Sequence, residues 1–301
     1  MHPELAFAIE VLIAGLLSGV MYSLVALGFV LIFKASGIFN FAQGAMVLFA
    51  ALTFVRILEM GVNFWLAIAI ALAVMIVMAV IIERVMLRPL IAQPVIILFM
   101  ATIGLNYFLE GFAQAVWDAD VHGLDLGIPD VPWMSLLDST NILISLFDVW
   151  SAVICGVLVL VLAFFFQKGR IGRALRAVAD DNQAAMSVGI PLQQIWAIVW
   201  AAAGLVALVA GALWGQRLGV QFSISLVALK ALPVLILGGF NSIAGAILGG
   251  LIIGATEKLA EVYLGPIIGG GIESWSAYFI AMLFLIFRPQ GLFGEKIIER
   301  V

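Results

Sequence analysis

The side chains able to do chemistry in this chain are few, and they interrupt long apolar runs. Asn40 and Gln43, then Thr102, Asn106 and Tyr107, then Asn241 are neutral polar residues inside otherwise hydrophobic stretches. Neutral amides and hydroxyls can guide a small polar or zwitterionic solute without trapping it by charge. They serve equally well as hydrogen bonds between helices in a membrane. Charged residues mostly avoid the middles of the runs. Glu10, Arg56, Glu59, Glu110, Asp148, Glu257, Lys258 and Glu261 fall toward ends that reach water, and Lys230 lies about 7.5 Å into its run at helical rise, within snorkelling range. A charge at mid-membrane costs about 2.5–3.5 kcal/mol on insertion scales, so this placement argues against a proton relay or a set of gating arginines. Catalytic signatures are missing: there is no His-Glu-x-x-His and no Gly-x-Ser-x-Gly, and the two histidines, His2 and His122, fall in extramembrane segments. No Gly-x-x-x-x-Gly-Lys loop is present, so any ATP that serves this chain is hydrolysed elsewhere.

The elements that position these groups are membrane helices. The composition is 65% hydrophobic and 11% charged, with mean hydropathy +1.23, far outside the soluble globular range. A spanning helix needs roughly 20 apolar residues. Such runs recur at Ala6–Ile32, Ile38–Leu58, Phe64–Ile82, Pro94–Trp117, Ser145–Phe166, Gln194–Trp214, Ser225–Phe240, Ile243–Leu264 and Trp275–Phe287. The seventh and ninth are short, so the expectation is an all-α polytopic membrane bundle with about eight or nine transmembrane helices, some short or broken, forming one domain over residues 1–301. The segment before the first run carries no Lys or Arg and does not look like a cleavable signal, so that run is expected to remain as a helix. The lone Cys155 excludes an internal disulfide. A net charge of -4 gives no reason to expect a nucleic-acid partner.

The largest polar island is Gln167-Lys168-Gly169-Arg170-Ile171-Gly172-Arg173-Ala174-Leu175-Arg176 and the residues that follow, 167–192 overall. Ile171, Leu175 and Val178 recur at helical spacing, with the arginines on another face. Asp180 is a good N-cap for a second helix, and Gln183 stands where it could return the bond. One continuous helix would set three arginines at its positive end and acids later, against the macrodipole. Two short helices, one ending near Ala179 and one starting after Asp180, fit better. Gly189 is expected to stop the second in a left-handed conformation, with Pro191 beyond. The small residues Ala184, Ala185 and Ser187 suit close docking, and the alternative is a solvated loop that merely obeys charge rules.

Gly15, Gly19 and Ser23 recur every four residues, as do Gly245 with Gly249 and Gly250 with Gly254. Small residues at that spacing let helix backbones approach closely in lipid, whether within this chain or between subunits. One internal echo pairs Ser23-Leu24-Val25-Ala26-Leu27 with Ser225-Leu226-Val227-Ala228-Leu229, each followed at similar distance by an Asn, Asn40 or Asn241. A repeat or the abundance of Leu, Val and Ala accounts for it.

Taken in order, several short matches resemble one family. They include Tyr22-Ser23-Leu24-Val25-Ala26-Leu27-Gly28, Gly37-Ile38-Phe39-Asn40-Phe41-Ala42-Gln43-Gly44, Arg88-Pro89-Leu90, Gly172-Arg173-Ala174-Leu175-Arg176-Ala177 and Arg288-Pro289-Gln290-Gly291-Leu292-Phe293-Gly294. The chain is similar to the permease subunits of bacterial ABC importers for branched-chain amino acids. Family members often have His where Gln43 stands and an acid where Ala45 stands. The resemblance implies a multi-pass protein of the inner membrane, paired with a second homologous permease, two cytoplasmic ATPase subunits that hold ATP and Mg, and a periplasmic binding protein, in contact with membrane lipid. It implies no cofactor and no catalysis in this chain. It also implies that segment 167–192 is the coupling segment that docks on an ATPase, where Arg173, Arg176, Asp180, Asp181, Ala184 and Gly189 are the expected coupling residues. Asn40, Gln43, Thr102 and Asn106 are expected to line or support the translocation path, as neutral polar groups inside apolar spans and from the match around Asn40. Related permeases carry urea, short amides or aromatic acids. A stand-alone channel or an ion-coupled transporter is the reading from a different class, and a charged residue at mid-membrane would have favoured it.

Orientation follows from charge. Arg84 and Arg88, Lys168 to Arg176, and Arg288, Lys296 and Arg300 form three basic segments, whereas the loop 118–140 carries Asp118, Asp120, Asp125, Asp130 and Asp138 and no Lys or Arg. Basic loops stay in the cytoplasm, which puts the C-terminus inside, the acidic loop outside and, with nine spans, the N-terminus outside. Cysteines introduced at Asp125 and Asp138 are expected to react with a membrane-impermeant thiol reagent from the periplasmic side, and one at Asp181 is not. The opposite labelling pattern would overturn the orientation.

Overall fold

The computed structural model describes residues 3–90, 93–180 and 182–294. Their regular structure is helical: α1 Pro3–Ser36, α2 Gln43–Glu59, α3 Phe64–Ile81, α4 Val95–Trp117, α5 Met134–Thr140, α6 Leu146–Lys168, α7 Arg170–Asp180, α8 Asn182–Ser187, α9 Leu192–Leu218, α10 Val227–Lys230, α11 Leu232–Gly238, α12 Ile243–Ile268 and α13 Glu273–Phe287. Among the described residues, six helical segments are long and apolar enough to cross a membrane, namely Glu4–Ser36, Phe64–Leu90, Val95–Trp117, Leu146–Lys168, Leu192–Leu218 and Ile243–Ile268. Two shorter apolar stretches, Phe222–Gly238 and Glu273–Phe287, accompany them. The chain is an all-α, multi-pass membrane protein.

Three expected spans differ in detail. The second begins at Gln43 rather than Ile38, because Gly37 adopts φ +69° and turns the chain out of α1. The third runs on past Ile81 as a π-helical turn, Ile82–Leu87, and a 3-10 turn, Arg88–Leu90. The seventh is broken into a 3-10 turn, Phe222–Leu226, and the short helices α10 and α11. Pro233 explains the last break, since it lacks an N–H and fits only the first turn of a helix, where it sits in α11. The two copies of the internal echo accordingly differ: Ser23 to Leu27 lie within α1, and Ser225 to Leu229 straddle the junction into α10.

Two compact units alternate along the sequence. One comprises Met1–Ala26, Gly127–Val159 and Leu229–Val301, and the other Leu27–Leu126 and Leu160–Ala228. In the first, α1 and α12 approach on their glycines. A Cβ on Gly15 would lie 2.7 Å from the carbonyl oxygen of Gly254 and 2.8 Å from Ala255 Cα. One on Gly19 would lie 2.5 Å from the oxygen of Gly250, and Ser23 donates to Gly19 O at 2.9 Å and to Ile247 O at 3.1 Å. The glycine stripes therefore serve packing within the chain, where dispersion and backbone proximity replace the hydrophobic drive that lipid cannot give. At the C-terminal side, the chain after α13 returns so that Leu292 N–H and Phe293 N–H donate to Leu237 O and Gly238 O at 2.8 and 3.1 Å. Those carbonyls end α11 and would otherwise lie unpaired.

In the second unit α2 is almost wholly buried and packs against α3, α4 and α9. The apolar windows of α3 and α4 are only 33% and 17% buried, so most of their surface faces outward from this unit. At one end of this unit a charged knot ties the loop after α4 down. His122 Nδ1 and Nε2 lie 2.9 Å from Glu59 and Asp118, and Arg56 pairs with Glu59 at 2.8 Å and with Asp118 at 3.3 Å. Desolvation opposes the imidazolium, but the two carboxylates outweigh it and raise the His122 pKa. The His122 bond in turn holds the Asp118 carboxyl below its ordinary range.

The α1–α12 contact yields a direct test. Gly15→Val is expected to lower the Tm of the detergent-solubilised protein by about 3–10 °C, as overpacking of a tight contact does. Gly111→Ala, at an α4 glycine with open space around it, is expected to leave Tm unchanged. Equal behaviour of the two variants would show that the close approach is not structurally required.

Candidate functional site

Three of the neutral polar residues, Asn40, Gln43 and Thr102, meet where α1 gives way to α2. Ser36 Oγ donates to Ile32 O at 2.8 Å and accepts from Ile38 N at 3.3 Å. Gly37 N–H closes the helix on Phe33 O at 2.7 Å. Asn40 Oδ1 then accepts from Ala42 N at 3.1 Å, an Asx turn that leads into α2, while its amide donates to Gln43 Oε1 at 3.4 Å. Thr102, on α4, accepts from Phe41 N at 3.3 Å, and its one hydroxyl proton is shared between Phe99 O at 2.9 Å and Phe39 O at 3.2 Å. Gln43 Nε2 reaches Ala203 O on α9 at 3.5 Å, and a Cβ on Gly28 would stand 2.7 Å from that nitrogen. Asn40, Gln43 and Thr102 are each 0% exposed. Rings of Phe29, Phe39, Phe41 and Phe99 follow one another around the break, the first pair stacked at 5.0 Å between centroids and the next two contacts edge-to-face at 4.7 and 4.9 Å. The cluster thus unites three of the four residues singled out for the path. Asn106, one turn further along α4, is half-buried. Ala45 is fully buried.

The polar island folds as two short helices. α7 ends at Asp180 and α8 runs from Asn182 to Ser187. Asp181 lies outside the described residues, as do the side chains of Asp180 and Gln183, so the proposed cap falls there too. The α8 terminus is a Schellman motif: Gly189, at φ +84°, donates to Met186 O at 3.0 Å, and Ile190 N–H reaches Ala185 O at 3.0 Å. Leu175, Val178 and Ala185 are buried, and both helices pack on α9. Arg176 donates to Phe166 O at 3.2 Å and Gln167 O at 3.3 Å, and Arg173 to Lys168 O at 3.2 Å. These arginines cap the carbonyl end of α6, the end where the macrodipole favours a cation. Gly172 admits the bend, since a Cβ there would collide with the Phe166 carbonyl. The outward side of the tip carries Ala184 and Gly189, with Met186 and Val188 46% and 77% exposed.

Sequence reasoning missed a third site. Glu257 does not reach water: it is 2% exposed, and Lys230 pairs with it at 3.0 Å instead of snorkelling. Lys230 also meets Glu273 at 2.7 Å, Lys258 meets the other Glu273 oxygen at 3.0 Å, and Tyr22 donates to Glu257 at 3.3 Å. Two ammonium and two carboxylate groups thus neutralise one another across α10, α12 and α13, with the Tyr22 hydroxyl of α1 added, which is how buried charges are made tolerable. The signal was the presence of Lys230, Glu257 and Lys258 in neighbouring apolar runs, with Glu273 just before the next, but linear distance from a span end does not reveal depth.

Comparison with known proteins places this geometry in a family. The profile of the family described as "Branched-chain amino acid transport system / permease component" matches residues 11–287. The permease protein BraD of Pseudomonas aeruginosa, of a high-affinity branched-chain amino acid transport system, is 29% identical over 310 residues, covering 99% of this chain and 100% of the relative. LivH of Escherichia coli K12, a permease protein of the same kind, is 28% identical over 321 residues, with 100% of both chains covered. A probable LivH of Methanocaldococcus jannaschii is 26% identical over 239 residues, 75% of this chain and 73% of that one. A buried polar break before α2, a folded polar hairpin and an end-to-end match agree: the chain belongs to the branched-chain amino acid transport system permease family.

Proposed function

We propose that this chain is the transmembrane permease subunit of an ATP-driven importer, forming half of the translocation path for branched-chain or related hydrophobic amino acids. The observation that carries the reading is the alignment of the whole chain with whole permease proteins of that specificity. It resides in the inner membrane with its C-terminus in the cytoplasm, and it works with a second permease, two ATPases that bind ATP and Mg, and a periplasmic binding protein. The chain itself holds no phosphate loop, in keeping with a non-catalytic role.

The α7–α8 hairpin is the segment through which ATPase motion reaches the spans. Arg173 and Arg176 bind the end of α6, and Leu175, Val178 and Ala185 seat the hairpin on α9. A push on the tip is therefore delivered to two spanning helices rather than absorbed in a loop. A power stroke biases a two-state permease only if the ATPase contacts differ between the states, and the exposed Ala184, Met186 and Val188 offer an apolar knob for such a contact. Asn40, Gln43, Thr102 and Asn106 support the path wall. The first three are fully buried and bonded to backbone, so they fix the break between α1 and α2 instead of meeting the solute in this conformation.

Two outcomes are expected. Ala184→Glu, at an exposed helical position that tolerates the change, should leave insertion intact and reduce ATP-dependent uptake at least ten-fold in reconstituted complexes. Undiminished uptake with intact substrate-stimulated hydrolysis would reduce the hairpin to a connecting loop. Thr102→Val should lower both Tm and uptake, by about 1–3 kcal/mol of stability for the buried groups left unpaired. Normal uptake in Thr102→Val and in the apolar variants of Asn40, Gln43 and Asn106 would remove these residues from the path.

A further inference from the structure

Beside the functional elements, the second unit carries a groove that the transport reading does not use. It lies between α3 with its π-helical extension, α4 and one residue of α2, and has a volume of about 550 Å³. Met78, Ile82, Val85, Gly104 and Phe108 line it, and Phe112, stacked on Phe108 at 5.6 Å and on Phe49 at 6.0 Å, closes its deep end. From Gly104 to Phe112, α4 covers roughly 12 Å of depth at 1.5 Å rise per residue. Gly104 opens the groove, because a Cβ there would meet no atom within 4 Å.

The turn that lines one end of the groove also carries charge. Ile82 and Val85 belong to the π-helical turn Ile82–Leu87, which also holds Glu83 and Arg84. Glu83 is buried and satisfied by Arg88, which donates to both its oxygens at 3.2 Å. Arg84 is exposed, and among the described residues no ion pair neutralises it. An apolar crevice open toward lipid fills with hydrocarbon, and a cation at its membrane-surface end selects a phosphate. A protein partner covering the same face would have to bury Arg84 at a cost that a lipid headgroup avoids.

We propose that this groove is a binding site for an anionic phospholipid, with one acyl chain along Val85, Gly104 and Phe112 and the headgroup phosphate on Arg84. The π-helical turn is what builds the site: it widens α3 at the membrane surface, so that apolar side chains and an exposed guanidinium share one turn.

Phosphatidylglycerol and phosphatidylethanolamine of identical acyl chains are the probes, added to the delipidated protein and quantified by native mass spectrometry. The wild type is expected to retain phosphatidylglycerol about five-fold better, the effect of one basic residue at an anionic headgroup. Arg84→Gln should abolish the preference, and Gly104→Leu, whose Cβ meets no atom within 4 Å and whose side chain occupies groove space, should reduce retention of both lipids. Equal retention of the two lipids by the wild type would overturn the proposal, as would retention by Gly104→Leu at the wild-type level. A phosphatidylglycerol with a photoreactive acyl chain gives a reading that needs no variant. Adducts concentrated in residues 81–86 and 104–112 support the site; adducts spread evenly over α6 and α13 contradict it. In the assembled complex, a disulfide from a cysteine at Gly104 to another subunit would show that protein covers the groove, and would also overturn it.

Discussion

Every break in a membrane helix frees backbone N–H and C=O groups that hydrocarbon cannot satisfy, and this fold is organised around meeting that demand. A spanning helix is self-sufficient in hydrogen bonds, whereas irregular backbone at depth survives only where protein groups pair it. The chain breaks between α1 and α2 and again between α11 and α12, and each break brings its own partners. At the first, Ser36, Asn40 and Thr102 bond the freed groups. At the second, the returning tail caps α11 and Ser242 Oγ accepts from Gly245 N at 2.9 Å. Polar residues in the apolar runs are therefore first of all solutions to a backbone problem. A permease can make use of such places because short, broken helices move at lower cost than continuous ones.

The same economy governs charge and proximity. Lys230, Glu257, Glu273 and Lys258 pair with one another, so three helices are joined by a neutral set of ions, and Tyr22 of α1 hydrogen-bonds to it. Glycines on α1 and α12 substitute backbone contact for side-chain packing. Arg173 and Arg176 spend their charge on the carbonyl end of α6. This makes the hairpin an extension of the spans, which is the mechanical property a coupling element requires.

Much of this was legible from residue types. Gly189 marked the end of α8 because a Schellman stop needs a left-handed residue, and the macrodipole argument separated α7 from α8 near Asp180. The long spans followed from apolar length alone. Less legible was anything set by depth or by partners. Gly37 ended α1 although Ile38, Phe39 and Phe41 kept the run apolar, because hydrophobicity does not report φ. Glu257 read as an outer residue because its position along α12 does not say which helices cover it. Asn40, Gln43 and Thr102 were found as a set, but their burial depends on α9 and on the loop before α2, distant in sequence. The π-helical turn after α3 left no compositional trace, since one extra residue in a turn is decided by packing.

The central claim, that this chain moves solute only under ATPase control, is tested most directly by labelled leucine flux in proteoliposomes. The chain with its partner permease but without ATPases should give no flux above empty vesicles, and the complete complex with binding protein should accumulate leucine only when ATP is supplied. Saturable leucine flux through the permease alone, independent of ATP, would contradict the account and identify a channel or an ion-coupled transporter.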